Sequence, residues 1–208
     1  MGCTAEDLAA ALRSAAVVVR EHRDELVELD RAIGDGDHGE NLRRGFDAIV
    51  TALDAATPPT PGAVLKLAAT TLISKVGGAA GPLYGTALLR ASTAVGDAAE
   101  IGPAEAVAAL EAALGGVVAR GKAEPGDKTM VDALTPAVAA ATAVDGSLAE
   151  VLAAAARAAD AGAESTVPLV ARKGRASYLG ERSAGHLDPG ARSTALLLAS
   201  LAATAAGR

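Results

Sequence analysis

Apolar residues recur at three- and four-residue steps from Leu8 through Leu12, Ala15, Val19 and Leu26 to Leu29, and the helical period returns after each glycine or proline break. Strands favour β-branched and aromatic side chains. This chain is dominated by Ala, and Phe46, Tyr84 and Tyr178 are its only aromatics. The fold class expected is therefore all-α, with closely packed helices. The first helix is expected from Thr4, whose hydroxyl caps the amide near Asp7, to about Leu29. Others follow over Asn41–Leu53, Ala63–Leu72, Pro82–Val95 and Pro103–Arg120. A sixth starts at Lys128, with a kink expected at Pro136. A seventh follows the Ser147 and Glu150 capping box to about Ala161, and the last runs over Ala191–Ala205. Eight amphipathic helices with short loops predict an antiparallel bundle or barrel. No repeat or linker divides the 208 residues, so 1–208 reads as one domain.

The formal charge of −6 argues against general nucleic-acid binding, which needs a basic surface. The apolar run Leu8–Val19 is no signal peptide, because Glu6 and Asp7 precede it and Arg13 interrupts it. Met1-Gly2 lacks the Ser or Thr that myristoylation requires, since Glu6 stands there. The longest apolar run, Thr194–Gly207, is too short to span a membrane. Cys3 is the only cysteine, which fits a cytoplasmic chain without an internal disulfide.

The sharpest local signal is Asp30-Arg-Ala-Ile-Gly-Asp35-Gly-Asp37-His-Gly39. Three carboxylates so close repel unless a cation joins them. Oxygen ligands on a glycine-rich loop suit Mg²⁺ or Ca²⁺. A solvated acidic turn fits the same residues, and they alone leave both readings open. Gly34-x-Gly36-x-x-Gly39 matches the dinucleotide-binding pattern, but a helix precedes it where a strand is required. An EF-hand also fails, because Phe46 occupies the twelfth position from Asp35.

Carboxylate-held Mg²⁺ usually serves a phosphate. Gly77-Gly-Ala-Ala-Gly81 enters a helix, where backbone amides bind anions, although tight helix packing explains small residues equally well. Gly126-Asp-Lys-Thr129 enters another, with Lys128 readable as an ordinary surface lysine. Gly116-x-x-x-x-Gly121-Lys122 is a near P-loop lacking the final Ser or Thr, which is Ala123 here. Arg172, Lys173, Arg175 and Arg182 make the penultimate loop basic, and Arg175 is the candidate for offsetting phosphate charge. His38 adjoins the acidic cluster.

Taken together, Leu29–Gly39, Arg44-Gly-Phe46, Gly77–Thr86, Arg120–Met130, Ala171–Ser183 and Gly185–Gly190 resemble the ADP-binding L subunits of dihydroxyacetone kinases across nearly the whole chain. The resemblance implies an eight-helix antiparallel barrel with the nucleotide at one end. It implies that Asp30, Asp35 and Asp37 hold two Mg²⁺ ions on the phosphates of ADP or ATP. It places His38, Gly39, Glu40, Asn41, Ala79, Ala80, Gly121, Met130, Arg175, Asp188, Pro189 and Gly190 against the nucleotide. The family often carries Ser where this chain has Ala80, whose backbone amide remains available.

The same resemblance implies a phosphotransferase subunit that is inactive alone. Its sugar sits on a separate K subunit. Its donor is phosphoenolpyruvate, acting through an M subunit of the phosphotransferase system, with ADP as a bound cofactor. The alternatives are an ATP-dependent kinase subunit for a related short ketose, a nucleotide-binding regulator without catalysis, and a metal-dependent phosphatase, for which no water-activating base is evident.

Overall fold

The structure, a computed structural model, describes residues 2–207. Met1, half of the Met1-Gly2 start considered above, lies outside them. Among the described residues there are nine α-helices, a 3₁₀ segment and no strand beyond one antiparallel bridge between Cys3 and Ile101. The all-α expectation holds, with one more helix than expected.

The extra helix comes from a break in the first segment. α1 (Ala5–Glu21) and α2 (Arg23–Ile33) part at His22, which leaves helical geometry at φ −96°, ψ 8°. Beyond the break, Leu26, Val27 and Ile33 are buried. The Arg23 carbonyl then lies so near Gly39 that a Cβ there would stand 2.2 Å from it. A single straight helix carries the same apolar period, so the sequence pattern did not separate the two.

The other boundaries follow local chemistry. Thr4 caps α1 through the Asp7 amide at 3.3 Å, and Asp7 returns to the Thr4 amide at 2.9 Å. α3 (His38–Ala55), α4 (Pro61–Lys75), α5 (Ala80–Val95) and α6 (Pro103–Gly121) follow. Ser147 and Glu150 form the expected capping box at the start of α8 (Leu148–Glu164).

α7 (Met130–Thr142) begins two residues after Lys128, capped by Thr129 and Asp132. Lys128 itself is left-handed, at φ 62°. α7 runs through Pro136. Proline removes the amide that would bond the Asp132 carbonyl. A Cβ on Gly162 of α8 would stand 2.4 Å from that carbonyl, so the glycine gives α8 its close approach there. A 3₁₀ segment (Arg175–Ser183) precedes α9 (Pro189–Ala206).

Helix contacts run from α1 to α3, then successively through α4, α5, α6, α7 and α8 to α9, which returns to α1. α2 packs outside this ring on α3, α9 and the 3₁₀ segment. Leu26, Ile49, Leu53 and Leu72 are at most 2% exposed. Each such side chain contributes about 2 kcal/mol of apolar burial.

Where α7, α8 and α9 meet, Ala133, Ala137, Ala155, Ala159 and Ala191 form the core. Small side chains pack helices closely but fill little space elsewhere. The ring keeps an apolar cavity of about 210 Å³ among Leu65, Leu88, Leu134, Leu152 and Leu197. Tyr84 and Met130 border both this cavity and the cleft described next. No helix among the described residues is long and apolar enough to cross a membrane.

Candidate functional site

The acidic cluster sits on the tight turn from α2 to α3. Asp30 ends one side of it. Its Oδ2 accepts from the amides of Asp37 at 2.8 Å and His38 at 3.1 Å, so it caps α3 from outside that helix. A Cβ on Gly34 would stand 2.2 Å from Asp30 Oδ1. Gly36 turns the chain at φ +75°, where a side chain is strained. The turn therefore gathers Asp30, Asp35 and Asp37, each offering an oxygen within 4.8 Å of the others.

Hard oxygen donors converging from a fixed turn suit a divalent cation. A cation of the protein's own already stands at the cluster, for Arg175 Nε lies 2.9 Å from Asp35 Oδ2. The donor set thus fits Mg²⁺.

These carboxylates form one edge of a cleft of about 190 Å³. The N-termini of four helices open onto it: His38 of α3, Ala80 of α5, Met130 of α7 and Pro189 of α9 all line it. Each presents the positive end of a helix dipole, which attracts anions, while at α3, α7 and α9 the side chains of Asp30, Thr129 and Asp188 already accept from first-turn amides. At α5 the capping residue Ala79 supplies no side-chain acceptor for these amides, and Gly78 turns the chain at φ +67°.

Eleven predicted residues share this cleft: Asp30, Asp35, Asp37, His38, Ala79, Ala80, Met130, Arg175, Asp188, Pro189 and Gly190. Gly39, Glu40, Asn41 and Gly121 do not line it. Gly39 is packed beneath the Arg23 carbonyl. Glu40 pairs with Arg43 and Arg23, whose guanidinium groups push its carboxyl down to about 2. Asn41 is buried and accepts from Arg44 at 2.5 Å. Gly121 ends α6 beside Leu83, itself a lining residue.

Two buried polar networks support the cleft. In the first, His38 Nε2 meets Ser193 Oγ at 2.8 Å, and the ring also bonds the Pro189 carbonyl. Ser193 joins the Tyr84 hydroxyl at 2.8 Å, which meets Thr194 Oγ1 at 2.9 Å. Burial pushes the Tyr84 phenol up to about 12 and holds His38 toward its neutral form. The His38 ring thus ties the start of α3 to the start of α9. In the sequence Tyr84 stands out only as one of three aromatics and as part of the Gly77–Thr86 segment, with no role attached to it.

In the second network Lys128, 1% exposed, turns inward rather than to the surface. Its ammonium donates to the carbonyls of Thr166 at 2.6 Å, Val167 at 3.4 Å and His186. Asp188, the cap of α9, accepts from the Ala191 amide at 2.7 Å. Burial pushes the Asp188 carboxyl up to about 7.

In the unfolded chain that carboxyl titrates near 3.8, so the folded protein holds the extra proton between those values. Its contribution to stability is full below about pH 4 and is lost as pH rises through about 7. His38, held neutral, acts in the opposite sense below its ordinary value. The difference between variant and wild type therefore isolates Asp188. Asp188→Asn, which keeps a capping side chain, should be relatively more stable at about pH 8 than at about pH 5 when ligand-free. Melting midpoints at both pH values test this, and equal differences would refute it.

Residues 32–203 match the DAK2 domain. The chain belongs to the DAK2 domain family. This DAK2 chain is 45% identical over 183 residues to the ADP-binding subunit DhaL of the PEP-dependent dihydroxyacetone kinase of Escherichia coli (strain K12), covering 86% of this chain and 87% of that one. It is 47% identical over 179 residues to the ADP-binding subunit DhaL of PEP-dependent dihydroxyacetone kinase 1 of Listeria innocua, covering 86% of each. In three dimensions it resembles the dihydroxyacetone kinase of C. freundii solved in complex with AMP-PNP and Mg²⁺. That match has a TM-score of 0.73 and 28% identity over 94% of this chain and 33% of the larger one. The domain match begins at residue 32, two positions after Asp30.

Proposed function

We propose that this DAK2 chain is the ADP- and Mg²⁺-binding subunit of a phosphoenolpyruvate-dependent dihydroxyacetone kinase, with its helix ring acting as an eight-helix antiparallel barrel that carries the nucleotide at one end. The observation that carries this is a triad of carboxylates sharing one cleft with four helix N-termini and Arg175. Carboxylates alone repel a diphosphate, whereas carboxylates holding divalent cations beside free amides receive one. The relatives named as ADP-binding subunits support the same reading.

Asp30, Asp35 and Asp37 would hold two Mg²⁺ ions, which neutralise and orient the phosphate oxygens when bound. The amides at Ala79 and Ala80 would receive a phosphate directly, with no side-chain hydroxyl needed. Met130, Pro189 and Gly190 would border the nucleoside. Arg175 would exchange Asp35 for the phosphoryl group in transfer and offset its charge. Gly39, Glu40, Asn41 and Gly121 would act by shaping the walls or through their backbones. His38, with its ring nitrogens committed to Ser193 and Pro189, would fix the wall rather than move a proton.

The phosphoryl acceptor, dihydroxyacetone, would sit on a K subunit. An M subunit of the phosphotransferase system would recharge the bound ADP. Such a complex would work in the cytoplasm. Mass spectrometry of the purified protein should find ADP. Mixing it with K and M subunits and a phosphoenolpyruvate-charged phosphotransferase system should yield dihydroxyacetone phosphate. Activity with ATP as donor and none with phosphoenolpyruvate would replace the donor assignment. No bound ADP and no product with either donor would end the reading.

A further inference from the structure

We propose that the segment 172–182 is a docking surface for a carboxylate-bearing face of the protein that presents the phosphoryl acceptor, with Tyr178 as its anchor. This rests on the nucleotide reading above. Two of the three aromatic side chains, Phe46 and Tyr84, are buried at 4% and 7% exposure, whereas Tyr178 is 87% exposed.

The support beneath Tyr178 is fixed. Ala171 and Ala176 pack with Ile33 at the end of α2. Ser183 Oγ donates to the Gly180 carbonyl at 2.6 Å and accepts from the Ala171 amide at 2.8 Å. Gly174 and Gly180 turn the chain on either side of the ring, at φ +65° and +56°. A large apolar ring held out on a short, anchored segment exposes apolar surface without any packing return in this chain. The backbone that carries the ring is already held by Ser183 and Ala176, so docking need not order it, which favours binding.

Charge names the partner's chemistry. Between 172 and 182 four cations, Arg172, Lys173, Arg175 and Arg182, face one carboxylate, Glu181, in a chain of net charge −6. Arg175 is paired with Asp35. Among the described residues no carboxylate forms an ion pair with Arg172, Lys173 or Arg182. Tyrosine and arginine together are the composition that dominates protein interfaces, with the aromatic ring seated in a pocket and charges at its rim.

Position names its role. Lys173, Gly174 and Arg175 line the cleft, so a protein seated on Tyr178 stands at the cleft mouth, where a phosphoryl group leaves. The acidic remainder of the chain disfavours nucleic acid as the occupant.

The test compares full-length wild type with Tyr178→Ala, Tyr178→Phe and Arg182→Glu. Binding to the cognate K subunit is measured by surface plasmon resonance, and ADP binding with Mg²⁺ by calorimetry on the same samples. Tyr178→Ala should weaken K-subunit binding by about 30-fold or more, and Tyr178→Phe by less than about threefold. Arg182→Glu should weaken it and flatten its dependence on salt between about 50 and 300 mM. ADP binding should stay at the wild-type value in all three.

Tyr178→Ala that binds the K subunit like wild type overturns the proposal, as does wild type that binds ADP but no K subunit. Loss of RNA or vesicle binding in Tyr178→Ala, with K-subunit binding intact, overturns it in favour of those partners. Wild type that docks through Tyr178 yet binds no ADP leaves the docking surface standing and sinks the nucleotide reading.

Discussion

Replacing Lys128 with Met should lower the free energy of unfolding by about 3 kcal/mol, because it removes a buried cation and leaves its partners behind. The ammonium bonds the carbonyls of Thr166, Val167 and His186, on two chain segments otherwise joined by the Gly185 amide on the Val167 carbonyl and the Asp188 amide on the Thr166 hydroxyl. Met matches the length of the stem but offers no donor, so those oxygens lose their ammonium partner. Asp188 also loses the positive charge that counteracts its burial, and its carboxyl should rise further. Lys128→Arg should not restore the wild-type value, since a planar fork does not fit a cage built for a compact ammonium. Because Lys128 anchors the chain entering Asp188–Gly190, nucleotide binding should weaken as well, by about tenfold. Urea unfolding followed by circular dichroism, with ADP titration beside it, gives both numbers. A stability loss under about 1 kcal/mol would show that the carbonyls find other partners.

The second large effect is expected at the acidic turn. Asp35→Ala should abolish Mg²⁺-dependent retention of ADP, weakening it by roughly 100-fold, or about 3 kcal/mol. The helices should stay formed, because among the described residues Asp35 makes no bond that caps a helix, and its ion pair is with the exposed Arg175. Asp30 is a poorer choice for this test. Its carboxylate holds the amides of Asp37 and His38, so its loss would loosen the start of α3 as well. Calorimetry with ADP in the presence of Mg²⁺ and of EDTA separates the metal-dependent part. Wild-type affinity in Asp35→Ala with Mg²⁺ present would remove the metal assignment from this residue.

Much of the site was legible because its chemistry is local. Asp30, Asp35 and Asp37 fall within eight residues, and the glycines between them permit one compact turn. Gly77–Gly81 and Asp188–Gly190 each announce a helix start by residue type alone. The capping boxes at Thr4 and Ser147 were equally readable, since a hydroxyl and a carboxylate three residues apart act on amides of the same turn. What was missed lies at long range. Lys128 reads as a surface residue until residues 166 and 186 are folded onto it. The bond of the His38 ring to Ser193, 155 positions away, is likewise invisible in the sequence. The break at His22 also escaped, because Leu26 keeps the same period whether or not the helix axis changes.

The sequence by itself determined that the chain is helical, where most helices begin, and that three carboxylates share a turn with freedom to close on a cation. These follow from interactions within a few residues, which any conformation of the neighbourhood must satisfy. Only the tertiary structure decided that four helix N-termini open on one cleft, that Arg175 reaches Asp35 across 140 positions, and that Lys128 is an interior strut. Those depend on how the ring of helices closes, and closure is set by the summed burial of apolar faces rather than by any local signal.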